Sequence, residues 1–234
     1  MNRVASAFLI LSASLTLVAC TILPPQVPVA ADTAKLNGGS GRVGIVMSSV
    51  PKPNTYLPGA GCLLCVAVAS GANSTLTDHA RTLPLEDLPE LKEQVATLLR
   101  AKGIDVVVIP DPLVSNELPK RKLAKGSVGF AARDFGAFKS KYGVDKLFVV
   151  ELDAVGFQRT YSSYIPTSDP KAVVSGTAFI VNLADHAYEW YQPINVLKSA
   201  EGAWEEKPSF PGLTNAYFQA LEFAKDEVLD PFKG

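Results

Sequence analysis

Apolar residues at helical spacing mark three segments along the chain. A helix is predicted over 85–102, because acidic residues occupy its first turn, basic residues its last turn, and Gly103 follows. The same spacing predicts a helix over 132–142 and a final helix over 213–229. The segment 60–72 is apolar and rich in small residues, so its pattern fits a helix or a strand pair. We favour a close-packed helix there.

Short apolar runs and alternating patterns predict five strands, over about 43–47, 104–109, 146–161, 172–183 and 188–197. Only turns separate the last three, so we expect them to form an antiparallel meander. The fourth strand is apolar or small on both faces, as in the interior of a sheet. The predicted order of elements is strand, helix, strand, helix, meander and helix. This order predicts an α/β (α+β) fold with a mixed sheet and helices packed on it.

The first nineteen residues have the pattern of a secretory signal peptide. Arg3 precedes an uncharged run that is shorter than the roughly 20 apolar residues of a membrane span. The residues Leu17-Val18-Ala19-Cys20 resemble the bacterial lipobox, in which the cysteine sulfur receives a diacylglyceryl group. We therefore expect cleavage after residue 19 and acyl chains such as palmitate on Cys20. The alternative is an ordinary signal peptide with a cysteine near its end.

A lipid on Cys20 implies a membrane-anchored protein whose domain faces the periplasm. Thr21 stands where an inner-membrane retention signal usually has Asp, so we expect the outer membrane. Prolines and then glycines predict that 20–40 is a flexible tether. The segment 41–234 has the length of a single periplasmic domain.

Composition narrows the possible partners. The formal net charge is −1, which argues against nucleic acid. The short basic cluster Lys120-Arg121-Lys122, with Lys125 nearby, is interpreted as a solvated loop. A hydrophobic content of 47% is ample for a packed core and excludes a disordered stalk.

The sequence shows no pattern typical of a catalytic, metal or cofactor site. The two histidines, His79 and His186, are far apart, and a metal needs several ligands at workable spacing. Neither a nucleophile elbow nor a phosphate-binding loop is present. Glu151 and Asp153 are placed on one face of a strand, where an acid–base pair or simply the solvent side is expected.

Cys62 and Cys65 form the one chemical motif, a C-x-x-C pair. Cysteines three residues apart in a helix or turn can form a disulfide, and an oxidising compartment would preserve it. Two other interpretations stay open, namely reduced packing cysteines and a redox site. The apolar flanks and the missing thioredoxin-like pattern count against the redox site.

Aromatic residues gather around the predicted meander and the loop after it. Tyr and Trp often anchor protein interfaces, so Trp204, Tyr164, Tyr161 and Trp190 are candidate partner contacts. Equally, these side chains could cover the outer edge of the sheet.

Three stretches resemble a known domain: 91–109 (LKEQVATLLRAKGIDVVVI), 142–150 (YGVDKLFVV) and the hairpin 179–190, with Asp185 at its turn. They are similar to the small α/β domain shared by the amino-terminal domain of TolB, the curli-secretion lipoprotein and the outer-membrane lipoprotein activators of penicillin-binding proteins. The likeness is strongest to uncharacterised lipoproteins with this domain. It implies a fold and a periplasmic setting, whereas function does not transfer with a fold.

These observations predict a non-enzymatic lipoprotein without a cofactor, whose domain binds an envelope protein or a second copy of itself during envelope assembly or secretion. One alternative is a small-ligand binder or enzyme that uses carboxylates and tyrosines near Glu151, Asp153 and Tyr161. A second alternative is a redox protein that uses Cys62 and Cys65.

Overall fold

The computed structural model describes residues 25–32, 41–124 and 127–233. Within these ranges the strands are β1 (Val43–Met47), β2 (Asn54–Tyr56), β3 (Val106–Val108), β4 (Lys146–Gln158), β5 (Tyr161–Ser162), β6 (Ile165–Pro166), β7 (Lys171–Asn182) and β8 (Tyr188–Ser199). The α-helices are α1 (Leu63–Ala72), α2 (Ser74–Thr82), α3 (Leu91–Ala101), α4 (Gly136–Tyr142) and α5 (Pro211–Leu229).

Six strands form one mixed sheet. Its order is β3-β1-β4-β7-β8, and β2 pairs with the second half of β4. β1 runs parallel to β3 and β4, whereas β4, β7 and β8 are antiparallel neighbours. The predicted α/β class, with a mixed sheet, an antiparallel meander and packed helices, is confirmed.

Helices cover both faces of this sheet. α2, α3 and α5 supply apolar side chains to the larger core, on the face that carries Phe148 and Val150. α4 and the loop after β3 cover part of the opposite face, which carries Leu147 and Val149. Because successive side chains of a strand point to opposite faces, the first half of β4 is buried on both sides.

Two predicted helices begin later than expected. The helix predicted over 85–102 is α3, and a short 3-10 turn precedes it. The helix predicted over 132–142 is α4, which lacks the first predicted turn. The reason is backbone pairing just before α4, where Arg133 forms an antiparallel bridge with Lys120. A backbone that pairs in this way is extended and cannot be helical.

The segment 60–72 does form a helix, α1, but the expected close packing is wrong. Within α1 only Cys65 and Ala69 are buried. α2 follows directly and buries Leu76 and Ala80. The predicted elements did not include α2, although its two buried residues lie four positions apart on one face of the helix.

Part of the predicted tether lies against the domain. Val29 forms an antiparallel bridge with Tyr191 on the outer edge of β8, through two backbone hydrogen bonds of 2.9 and 3.0 Å. Close by, the Gly129 N–H donates to the side-chain oxygen of Gln26 at 2.7 Å. The predicted lipidation site, Cys20, lies outside the described residues.

We expect Gly156 to be essential for the pairing of β2 with β4. Its φ is +134°, and a Cβ there would lie 2.1 Å from the Asn54 carbonyl oxygen. Gly156→Ala should lower the free energy of unfolding by about 1–3 kcal/mol. Gly71→Ala is the control, because that helical position has open space and alanine should stabilise it by up to about 1 kcal/mol. Urea denaturation measures both, and equal values for the two variants would contradict this account.

Candidate interaction surface

The four aromatic residues predicted as partner contacts do not form one surface. Trp190 is 2% exposed and Tyr161 is also buried, so neither can contact a partner of the folded domain. Trp190 packs against Phe148 and Phe232 in the larger core. Trp190 and Tyr161 are therefore not candidate partner contacts. The burial of their rings stabilises the fold.

Trp204 is half-buried, and contacts within the domain use both its polar and its aromatic groups. Its indole N–H donates to Asp169 at 3.1 Å. The guanidinium of Arg159 lies 4.9 Å from the centroid of its ring. Trp204 therefore fastens the loop after β8 to neighbouring loops, and a contact with a partner through it stays a prediction.

Tyr164 is the exposed member of the set, at 58%, and it lies beside exposed Ile165 in the hairpin formed by β5 and β6. The hairpin is tied to the loop before α1, because the Ser163 N–H donates to the Gly59 carbonyl at 3.2 Å. Gly59 has a φ of +90°, and a Cβ there would lie 1.9 Å from the Tyr161 carbonyl oxygen. Only glycine allows this close approach. The hairpin tip and the beginning of α1 consequently lie side by side.

The inner side of α1 rests on Tyr161. Cys65 and Ala69 pack against it in a small cluster that is separate from both larger cores. Buried Asn73, directly after α1, donates from its side-chain amide to the Tyr161 hydroxyl at 2.6 Å and to the Ala69 carbonyl at 2.7 Å. Tyr161 and Asn73 therefore fix the orientation of α1, a role that the sequence did not reveal for either residue.

The Cys62–Cys65 pair lies at the beginning of α1. The structure joins the two sulfurs as a disulfide, with Cα atoms 4.9 Å apart. Cys62 is the exposed N-cap residue, and its sulfur accepts a hydrogen bond from the Cys65 N–H at 3.0 Å. The cross-link and the cap both hold the first turn of a helix that has few buried contacts.

The outer side of α1 is apolar and exposed. Leu63 is 94% exposed and Leu64 is 70% exposed, and α1 contains no charged residue. A helix that is apolar on all sides is normally covered by a core, a membrane or a partner. We call the following side chains the α1 surface: Leu63, Leu64, Val66, Val68, Tyr164 and Ile165. The absence of charge over 60–72 was the sequence signal that could have indicated it.

The carboxylates considered for an acid–base pair occupy different environments. β4 contains a bulge between Leu152 and Ala154, which leaves Asp153 exposed, whereas Glu151 is half-buried and accepts a hydrogen bond from the Ser115 hydroxyl. Burial raises the pKa of Glu151, and the negative charge of Asp153 adds to this effect.

Tyr188 and Tyr191 lie near enough to Glu151 to sense its charge, whereas Tyr161 lies farther away. Burial raises the pKa of both Tyr188 and Tyr191, and the negative charge of Glu151 adds to the increase. Tyr161 follows the end of β4, whose last residue is seven residues or about 23 Å beyond Glu151. The predicted grouping of Glu151, Asp153 and Tyr161 is therefore not formed.

The two histidines lie in different surroundings, and neither has a second histidine or a cysteine among the contacts described for it. His79 stacks near Phe157 and its Nε2 lies 2.7 Å from the Thr214 hydroxyl, and burial lowers its pKa. His186 lies 3.5 Å from Asp134, and burial also lowers its pKa. Among the described residues, no three His, Cys, Asp or Glu side chains are grouped closely enough to share a metal ion.

A groove of 360 Å³ lies between α4 and the loop after β3. Apolar side chains such as Ile109, Leu113 and Phe138 line it, together with Asp111 and Lys141. Those two charged residues are 3.6 Å apart. The groove is open, and Glu117 and Tyr142 add further polar groups to its lining, the Tyr142 hydroxyl donating to Asp111 at 3.4 Å.

In the described ranges, no helix combines the length and the apolar composition that crossing a membrane requires. No model of a protein family matches this chain, and no curated protein matches it.

Several solved structures are similar to this chain. One is the PelC dodecamer from Paraburkholderia phytofirmans, which is 14% identical in sequence. The match covers 89% of this chain and 96% of that chain, with a TM-score of 0.38. Protein XCC0632 from Xanthomonas campestris is also 14% identical, over 88% and 90% of the two chains, with a TM-score of 0.40. The lipoprotein GNA1162 from Neisseria meningitidis is 14% identical, over 78% and 98%, with a TM-score of 0.29. Similarity this low carries no argument about function, and the resemblance to TolB-like domains stays a prediction.

Replacing Glu151 by glutamine tests whether burial raises the pKa of this carboxyl. A pKa that is higher in the folded than in the unfolded chain stabilises the fold at low pH, and this contribution is lost as pH rises through the folded pKa. Glu151→Gln keeps an acceptor for Ser115 and removes the ionisation. The variant should therefore gain stability relative to the parent protein as pH rises above the ordinary pKa of a glutamate.

Urea denaturation at several pH values between 4 and 8 measures this difference. Glu117→Gln is the matched control, since Glu117 is an exposed carboxylate in the loop that carries Ser115. Parallel stability curves for the parent protein and Glu151→Gln would show that Glu151 is not penalised by burial.

Proposed function

We propose that this chain is a lipid-anchored, periplasm-facing interaction module that binds an envelope protein through the α1 surface. The observation that carries the proposal is the exposure of α1, a helix without a charged residue on a well-packed domain. Burial of apolar surface contributes roughly 25 cal/mol per Å², so a partner that covers Leu63 and Leu64 would gain substantially. The lipobox-like residues before Cys20 support the anchor.

The contacts that hold α1 in place are those expected of a rigid binding surface. The Cys62–Cys65 cross-link, the Asn73 amide and the ring of Tyr161 hold the helix from its inner side. A rigid, preorganised surface loses little conformational entropy when a partner binds. The proposal contains no catalytic step, and the partner is either another envelope protein or a second copy of this chain.

Substitution of the α1 surface should abolish the complex. We expect Leu63→Ser with Leu64→Ser to reduce the yield of a cross-linked complex roughly tenfold or more, as removal of interface anchors usually does. The measurement is in-cell cross-linking of the lipidated protein followed by mass spectrometry, which also reports a second copy. Phe223→Ser on α5 is the control, because Phe223 is 51% exposed and lies outside the α1 surface. A complex that survives the double substitution, or that the control weakens equally, would contradict the proposed surface.

A second candidate function is thiol–disulfide exchange. The observation that favours it is the location of the C-x-x-C pair at a helix amino terminus, with Cys62 exposed and Cys65 buried. A helix amino terminus stabilises a thiolate and lowers its pKa. Exposed Leu63 and Leu64 beside Cys62 would then contact apolar segments of a substrate protein.

Alkylation with iodoacetamide separates this candidate from a purely structural disulfide. Without reductant, we expect neither Cys62 nor Cys65 to be labelled, because the two sulfurs are joined. After reduction, a redox role requires Cys62 labelling with a midpoint well below the ordinary thiol pKa of about 8.5. A labelling midpoint near the ordinary thiol pKa would show that the disulfide has only a structural role. Labelling of either cysteine without reductant would contradict the disulfide itself.

A further inference from the structure

Only a short piece of chain separates Cys20 from the domain. Gln26 is held by the Gly129 N–H, and Val29 is paired with Tyr191. Covalent geometry allows the six residues from Cys20 to Gln26 a span of about 21 Å at most. An acyl group on Cys20, as in the proposed function, would begin within that distance of Gln26 and would bring the bilayer near this part of the domain.

Exposed apolar side chains surround that point. Val27 follows Gln26, while Val128 and Phe130 flank Gly129, and all three are about half exposed. The backbone bridge between Phe130 and Ala187, directly before β8, holds Val128 and Phe130 beside the beginning of that strand. Apolar side chains at this place would enter the interfacial region of a bilayer.

Basic residues accompany this apolar group. The Arg121 guanidinium donates to the Ala131 carbonyl at 2.9 Å, and the bridge between Lys120 and Arg133 aligns the two segments. Lys122 is exposed next to them. Acidic residues flank these segments as well, namely Glu117, Asp134 and Asp185, and Asp32 follows Val29. The exposed basic side chains are those of Lys120 and Lys122, and these two would favour an anionic leaflet. We call the following side chains the Gly129 surface: Lys120, Arg121, Lys122, Val27, Val128 and Phe130.

The α1 surface lies at the other end of the sheet. Tyr191 pairs with Phe179, which pairs with Val149 in β4. From there β4 continues for nine residues to Gln158, about 30 Å, and the hairpin with Tyr164 lies beyond that end. A bilayer beside Gln26 would therefore lie at the opposite end of the sheet from the α1 surface.

We propose that the Gly129 surface docks on the bilayer that holds the lipid of Cys20, through interfacial apolar contacts and anionic headgroups. This inference rests on the lipid anchor of the proposed function. It orients the domain, with the β8 edge at the membrane and the α1 surface directed away from it, toward a protein partner.

The test uses the mature lipidated protein in vesicles of phosphatidylethanolamine and phosphatidylglycerol. Val128→Cys and Tyr164→Cys each introduce a single reactive thiol, because Cys62 and Cys65 are joined and Cys20 is acylated in the proposed form. A fluorophore on either thiol reports contact with a quencher attached to lipid acyl chains. We expect quenching at residue 128 to be several-fold stronger than at residue 164.

A second pair of variants tests the contribution of the basic residues to membrane docking. Lys120→Glu with Lys122→Glu should weaken quenching at residue 128 by at least twofold in these vesicles. Lys52→Glu with Arg81→Glu makes the same change of charge near β2, at the Gln158 end of the sheet, and should leave the quenching unchanged.

Failure of the anchor and failure of this surface give different results. If mass spectrometry detects no acyl chain on the protein and the protein does not bind the vesicles, the proposed lipid anchor is wrong, and this inference is wrong with it. An acylated protein in the vesicles with equal quenching at both positions, or stronger quenching at 164, overturns the membrane-facing surface alone.

Discussion

Strand β4 is the element on which the rest of the domain depends. It pairs with β1 and β2 on one side and with β7 on the other, and its first half is buried on both faces. At thirteen residues it extends about 40 Å, so it also sets the distance between the two ends of the sheet. A disturbance of β4 would disrupt both cores, because its alternating side chains belong to one core and then the other.

The second half of β4 differs from the first in a way that positions α1. A bulge after Leu152 alters the register, and Gly156 then lets β2 approach closely. β2 leads into the loop that meets the β5–β6 hairpin at Gly59 and continues into α1. The exposed helix is therefore attached to the central strand through a short series of close backbone contacts.

The two proposed surfaces follow from this geometry. The amino-terminal segment crosses the edge of β8 near Tyr191, at the end of the sheet where β4 begins. α1 and Tyr164 lie at the end where β4 finishes. In our proposal a lipid-anchored protein uses one end for the bilayer and the other for a protein, which keeps the apolar α1 surface away from lipid.

Local patterns determined much of the architecture. Buried strands such as 172–183 and amphipathic helices such as 213–229 were predictable, because their periodicity records which side faces a core. Tertiary structure decided what periodicity does not encode. Arg133 is extended because a neighbouring segment offers it hydrogen bonds, and Tyr161 is buried because α1 lies on it. An aromatic residue in the sequence has the same appearance whether it is buried, like Trp190, or exposed, like Tyr164, since burial depends on contacts between residues distant in the chain.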